Sequence, residues 1–525
     1  MTTSTPRRRG RRLDLGDYGR RLDDFVAELG AERYAGRSGQ TDAVALAPIY
    51  ERHAALFDRA AVDGLARAAE GDDEAAREAR RLWAFAVEAY VDRSVVDLTE
   101  RIAAAEATAV IIWRGERIAY RAATIRVAEL SDRGERNVLD ARLRVAVEAI
   151  NPLRLERLER KMDTARELGF DDPVAMADAI HGIDAAAVAG QMQRFLAASE
   201  TEYFAALRRY LAEIDVEAGD GTAADLSHLR RGSGWDAWFE PRRLVAVVSD
   251  TLRGMGSDVA AMENVTLDWE YRPNKHPRAA CIPVRIPGDV RLVLQPRGGL
   301  RDFAGALHEL GHVAHYALTD PALPAGFRHA GDTSVSEAYA FLLQYLTLEP
   351  EWLAQHLGMP EDEVAGFVDF AAFNKLFLIR RQTAKLLYEL RLYRDPDPAV
   401  ARASYGGMLG LLTGVQVPEA NWLTDVDDNL YAARYLRAWM LESTIAARLR
   451  SDHGAAWWNE AAAGDRLRGL WAQGQRPSAE DVLAQLGYDR LDWRPILHHI
   501  RVRLIGELSG YGGPNITTRA GTRKV

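Results

Sequence analysis

The chain has 525 residues, 48% hydrophobic and 27% charged, the balance of a folded globular protein and not of a disordered one. Its 67 lysines and arginines against 76 aspartates and glutamates leave a net charge of −9, which argues against general nucleic-acid binding because that needs a basic face. The single cysteine, Cys281, excludes an internal disulfide framework and any cysteine-rich zinc module, and it fits a reducing compartment.

The opening MTTSTPRRRGRR is basic but has no apolar run behind it, so residues 1–15 read as a solvated arm and not as a secretory signal. No run of about 18 apolar residues occurs, so no membrane span and a cytoplasmic location are expected. From Asp72 to Leu130 the chain is rich in Ala, Glu, Arg and Leu. Its apolar residues recur at spacings of three and four (Leu82, Phe85, Ala86, Ala89, Tyr90), which predicts helix throughout. Similar patterns cover Val138–Leu168, interrupted at Asn151-Pro152, and Asp184–Leu211. Residues 16–263 thus form an expected N-terminal helical domain.

The character changes near residue 264. Asn264–Glu270, Ala279–Ile286 and Val290–Leu294 are short β-branched and apolar runs, the last two joined by the turn signal Pro287-Gly288-Asp289. Beyond Pro296-Arg297-Gly298-Gly299 the pattern is helical again to about Leu508. The expectation is a mainly α-helical protein with a small β element, a second domain over 264–509 and a flexible tail over 510–525.

That β element precedes the most informative residues. Asp302, just after a glycine pair, is a candidate helix N-cap or lies near one. His308 and His312 are four apart and share one face of a helix, where two imidazoles can grip one Zn²⁺. Glu309 lies too far round to be a ligand but is placed to reach a metal-activated water. This is the HExxH arrangement, with Glu309 as general base and the metal making water nucleophilic. A third ligand is available in Glu337, 25 residues after His312, where a second helix can return antiparallel past the loop 320–326. It would complete a His₂Glu site with an open position, the catalytic pattern for one Zn²⁺ per chain.

Three blocks give the sequence a family resemblance. Leu267-Asp268…Arg272-Pro-Asn274-Lys275…Ala279-Ala280-Cys281 is similar to an LDxxxRxGKxxxAxC stretch, with Asn274 in place of glycine, a residue that also tolerates positive φ. Asp302 with the HExGH form and a further His315 matches the zinc helix, and Glu337 matches the third ligand. Together they resemble the thimet oligopeptidase and oligoendopeptidase F group of zinc peptidases. The resemblance implies a helical ellipsoid with a deep channel that admits oligopeptide substrates. It implies that the edge strand near Ala279–Ile286 either pairs with a substrate backbone or simply props the zinc helix. It also implies that Tyr431 and Tyr435, which fall on the family's tyrosine positions, stabilise the oxyanion. The sequence departs from the family at Gln344, where a glutamate is common, at Ala438, where another tyrosine is common, and at Val426, where a histidine is common.

The remaining candidates have plainer readings. His315 is expected to pack and not to ligate, His329 to be a solvated loop residue with a substrate contact as the alternative, and His498-His499 to be structural. Cys281 reads as an inert thiol, and Trp457-Trp458 as core or interface. The reading that follows is hydrolysis of internal peptide bonds in oligopeptides, with no nucleic-acid or membrane partner and the oligomeric state open. The alternatives are a zinc carboxypeptidase, with Arg434, Arg437 or Arg328 capturing a substrate carboxylate, and a non-catalytic peptide-binding protein on the same scaffold.

Overall fold

The computed structural model describes residues 13–41, 44–394 and 396–504; most of the basic arm and all of the expected tail lie outside them. The architecture is mainly helical. The interior face of Asp72–Leu130 is buried as its periodicity requires, but the stretch is not one helix. Helices Glu74–Ser94 and Val96–Thr108 are followed by a hairpin, β1 (Val110–Trp113) against β2 (Glu116–Ala119), and then by helix Tyr120–Glu129. The signal was the β-branched run Val110-Ile111-Ile112 before Arg114-Gly115, both at positive φ in the turn. Helix Arg133–Glu167 continues through Pro152, correcting the expected interruption. Arg154 Nη1 donates to Val147 O at 3.1 Å and Asn151 Oδ1 at 3.0 Å on the turn that carries the proline. The Asp184–Leu211 pattern is two helices, Ala185–Ala198 and Glu200–Ala212, meeting at Ser199.

The β element is a three-stranded sheet in the order β3 (Val265–Asp268), β5 (Asp289–Val293), β4 (Ala280–Arg285), with β3 parallel and β4 antiparallel to β5. Helix Leu15–Arg37 packs on β4, so the first helix shares a small core (Tyr34, Ala280, Ile282, Val284, Val293) with this sheet. Pro283 O lies only 3.0 Å from where a Cβ on Gly30 would sit, so that helix covers this half of the strand. The LDxxxR…K block is a structural knot. Asp268 accepts from Lys275 Nζ at 2.7 Å, Arg272 Nη1 at 2.9 Å and Tyr34 OH at 3.0 Å, tying the sheet to the first helix. Asn274 is not among the positive-φ residues, so the conformational reason offered for its replacing glycine does not apply.

The largest core runs from Leu158 to Ile500 and draws on residues from both sides of 264. Its centre is the pair of long helices Glu361–Leu392 and Tyr431–His453. Trp457 and Trp458 are fully buried in it. At its edge Glu349 is held by His499 Nε2 at 3.2 Å, Arg503 Nη2 at 2.7 Å and Arg450; His498 is exposed. Burial alone would raise the Glu349 carboxyl, but these partners hold it at about 2, and burial drives the His499 imidazole down to about 3. Both shifts act in one direction. The unfolded chain takes up protons at His below about 6.5 and at Glu below about 4.3, while the folded chain resists until lower pH. Stability is therefore expected to fall as pH drops from 7 towards 3. In urea melts across that range, His499→Gln should remove about one proton from the slope between pH 6 and 4.

Candidate metal centre

The zinc-type motif lies on helix Leu300–Ala317. Its cap is Gly299, not Asp302. Asp302 sits in the first turn, and its Oδ2 reaches back to accept from Arg297 N at 2.7 Å and Gly298 N at 3.0 Å. Helix Thr333–Gln344, capped by Asp332, packs directly on it. The glycine of HExGH is what permits this approach: a Cβ on Gly311 would meet Ala340 Cα and Tyr339 O at 2.5 Å. Close packing of the two helices brings Glu337 opposite the histidines.

The ligand atoms of His308, His312 and Glu337 all lie within 4.8 Å of one another. Glu337 Oε2 is 3.3 Å from His308 Nε2 and 3.7 Å from His312 Nε2. The edge of a tetrahedron with arms of about 2.0–2.1 Å is close to 3.3 Å, so these separations suit one ion. Glu337 Oε2 is buried without a hydrogen-bond partner among the described residues, and an orphaned carboxylate oxygen facing two imidazole nitrogens fits a cation.

The other nitrogen of each ring is engaged behind the site. His308 Nδ1 faces Gln344 Oε1 at 2.9 Å, and His312 Nδ1 faces Ser336 Oγ at 2.9 Å. A carbonyl oxygen can only accept, so a neutral His308 ring carries its proton on Nδ1 and offers Nε2 to a cation; burial would lower the His308 imidazole, but the Glu337 carboxylate facing Nε2 raises it. Ser336 donates onward to Tyr316 OH at 3.2 Å, which leaves its oxygen to accept from His312. Gln344→Ala is expected to weaken metal binding about tenfold or more, read by competition with a chelator.

Electrostatics agree with the geometry. Burial would raise the Glu337 carboxyl, but His312, His308 and the Tyr431 hydroxyl hold it at about 2, so it is ionised. Burial takes His312 down to about 4, so its ring is neutral. Burial raises the Glu309 carboxyl. Glu309 Oε2 accepts from Cys281 N at 2.7 Å, which fixes the side chain from the sheet and uses an outward N–H of β4. The next outward position along that edge is Pro283, which has no N–H to give. The Cys281 thiol is pushed up by burial and by the Glu309 carboxylate, as expected for an inert thiol.

Tyr431 and Tyr435 open helix Tyr431–His453, their ring centres 4.8 Å apart. They do different things. Tyr431 OH donates to Glu337 Oε1 at 2.5 Å, whereas the Tyr435 hydroxyl has no hydrogen-bond partner among the described residues and packs its ring on Phe341. A cavity of about 340 Å³ opens on the site, walled by Glu309, His312, Glu337, Tyr431, Arg434 and Gln475.

His315 is fully buried between Ser336 Oγ at 3.3 Å and Gly474 O at 3.0 Å, so it packs and does not ligate. His329 is not solvated: its Nε2 is 2.7 Å from Asp23 Oδ1 and its side chain is 4% exposed. Of the three arginines considered for carboxylate capture, Arg328 pairs with Asp23 at 2.8 Å and Arg437 with Glu480 at 2.9 Å and Asp332 at 3.4 Å. Arg434 lies over the Tyr431 ring and donates to Thr333 Oγ1 at 3.1 Å. Ser336, Tyr316 and the Cys281 amide are parts of the site that sequence reasoning missed. Only Ser336, adjacent to Glu337, carried a local signal.

In sequence the chain matches no protein-family model and no curated protein. In structure it is similar to a protein assigned as an oligoendopeptidase F from Bacillus anthracis str. Ames, with 14% identity over 94% of this chain and 96% of that one and a TM-score of 0.63. PZ peptidase A, solved with an inhibitor, is 13% identical over 92% and 90% of the two chains, with a TM-score of 0.65. Metallocarboxypeptidase 1 from Trypanosoma cruzi is 13% identical over 94% and 99%, with a TM-score of 0.58. The fold is therefore the mainly helical one of the oligoendopeptidase group, as the resemblance implied. No helix among the described residues is long and apolar enough to cross a membrane.

Proposed function

We propose that this chain is a zinc-dependent peptidase that cuts internal bonds of short oligopeptides. The observation that carries the reading is the His308–His312–Glu337 trio, with an orphaned carboxylate oxygen, set beside Glu309 at the wall of a cavity in a fold shared with peptidases. Bound by the trio, zinc would supply a Lewis acid for the scissile carbonyl and make water acidic enough to react near neutral pH. Glu309, held at Oε2 by the Cys281 amide, keeps Oε1 for the attacking water, takes its proton and returns it to the leaving nitrogen. Tyr435 supplies the free hydroxyl donor for the oxyanion, while Tyr431 orients Glu337. The cavity takes an extended chain segment and not a folded domain. The single cysteine suits action in a reducing, cytoplasmic setting.

The carboxypeptidase reading keeps some support from the metallocarboxypeptidase neighbour, but Arg328, Arg434 and Arg437 already have partners. The test is a pool of short peptides, free and blocked at both ends, incubated with protein of known metal content and read by mass spectrometry. Internal cuts in blocked peptides, abolished by a chelator and restored by zinc, are expected. Release of C-terminal residues from free peptides alone would favour the carboxypeptidase, and metal-loaded protein that binds peptides but cuts none would make it a binding protein.

A further inference from the structure

Two residues directly before Tyr431 occupy backbone that ordinary side chains avoid. Asn429 has φ 54°, ψ 40°, and Leu430 has φ 50°, ψ 46°, consecutive left-handed positions with no glycine at either. Asn tolerates this region; Leu does not, because its Cβ crowds the carbonyl that follows. Leu430 is also 1% exposed, so the strain is held inside the protein. Such a conformation persists only where the surroundings over-determine it.

The surroundings here are specific, and several come from far along the chain. Asp428 is gripped by Arg157, Nη1 to Oδ1 at 3.1 Å and Nη2 to Oδ2 at 2.8 Å, and by Lys161 Nζ at 2.8 Å. Both cations lie on helix Arg133–Glu167, and Lys161 is itself fixed by Asp92 at 2.8 Å. Asn429 Nδ2 donates to Glu88 Oε1 at 2.9 Å, on helix Glu74–Ser94. On the other side Asp427 N donates to Glu389 Oε1 at 2.6 Å, and Asp427 Oδ1 pairs with Lys385 at 2.7 Å. The segment is thus clamped between early helices and helix Glu361–Leu392. It leads within three residues of Asp428 to the Tyr431 hydroxyl bonded to Glu337. It also stands between two cavities: Asp428 and Asn429 line one of about 380 Å³, with Arg157 and Lys161, and Tyr431 lines the one at the metal centre.

We propose that Asp428 is a positioning residue: its clasp to Arg157 and Lys161 holds the left-handed pair Asn429–Leu430 and thereby sets the Tyr431 hydroxyl on Glu337. The geometry makes the clasp a link between the early helices and the metal ligand. Arg157 and Lys161 do not touch the site, yet releasing them frees the turn to relax to ordinary backbone and carries Tyr431 off the carboxylate. Asp428 is half-exposed, so its loss does not open a core cavity.

The inference rests on the proposed metal site for one readout and is independent of it for the other. The first readout is amide hydrogen exchange of residues 427–433 in metal-free protein. Asp428→Ala and Arg157→Ala are each expected to speed exchange there at least about tenfold while helix Glu361–Leu392 keeps its protection, and Asp428→Glu is expected to restore most of it. The second is a double-mutant cycle on zinc affinity by chelator competition. Tyr431→Phe and Asp428→Ala should each weaken binding about tenfold, and the double variant should be no weaker than Tyr431→Phe alone. Unchanged exchange in Asp428→Ala, or effects that multiply in the double variant, would overturn the proposal. Wild-type protein that binds no zinc would sink the metal reading, and exchange would still decide the clasp.

Discussion

Glu309→Gln is expected to lower kcat by about 10²–10⁴, the range for a lost general base, with KM and metal content unchanged. The substitution is close to isosteric, and its carbonyl oxygen can still accept from Cys281 N as Glu309 Oε2 does at 2.7 Å. What it removes is the basic oxygen. The three candidate ligands, His308, His312 and Glu337, are other side chains, so a metal bound there should stay. A second consequence separates a catalytic from a structural role. Glu309 is a carboxylate whose burial disfavours its charge, so neutralising it relieves that cost. The variant should therefore melt at or above the wild-type temperature while losing activity, the trade expected when a group is kept for chemistry against its own stability. Retention of activity within about threefold would remove Glu309 from the base role and leave the HExxH match without its mechanism.

The largest expected effect on stability lies behind the site. Lys375 on helix Glu361–Leu392 and Glu442 on helix Tyr431–His453 meet at 2.7 Å with side chains 0% and 1% exposed. The lysine also sits 3.7 Å from the centre of the Tyr345 ring. Burial drives the Lys375 amine down and the Glu442 carboxyl up, and each partner opposes the other's shift. Glu442→Leu leaves a buried, unpaired ammonium and should cost about 3–5 kcal/mol in urea unfolding. Adding Lys375→Met to it should recover most of that loss, because an apolar pair of similar volume needs no charge solvation. If the two single losses simply add, the pair is not an interacting unit. Because helix Tyr431–His453 also carries both site tyrosines, the single variant should loosen Tyr431 and Tyr435, and the double variant should restore them.

These two expectations draw on different layers of information. Glu309, His308 and His312 lie within five residues on one helix, so helical geometry alone places the two rings on one face with the carboxylate beside them. Gly311 was present in the motif, but its purpose, admitting Ala340 and Tyr339 of the facing helix, is visible only where the helices meet. The Lys375–Glu442 pair joins residues 67 apart whose periodic surroundings mark only that both face inward. The β1–β2 hairpin was missed because the good helix formers on either side of Val110–Ala119 outweighed a ten-residue signal. The passage of helix Arg133–Glu167 through Pro152 likewise depends on packing of its buried face, which overrides the local preference.

By itself the sequence determined what is short-range: helical content, the small β element with its Pro287-Gly288 turn, the HExxH helix and a candidate third ligand at a spacing that a returning helix can span. These follow from side-chain periodicity and backbone preference, which act over a few residues. The tertiary structure alone decided how that site is finished. It brought the Cys281 amide to Glu309, Ser336 and Gln344 to the backs of the two rings, and Tyr431 to Glu337, while leaving Tyr435 free. It also placed Asn429 and Leu430 in left-handed backbone, next to Asp428, whose partners Arg157 and Lys161 lie more than 260 residues away. Local preference opposes that conformation, and only the summed contacts of distant helices can impose it.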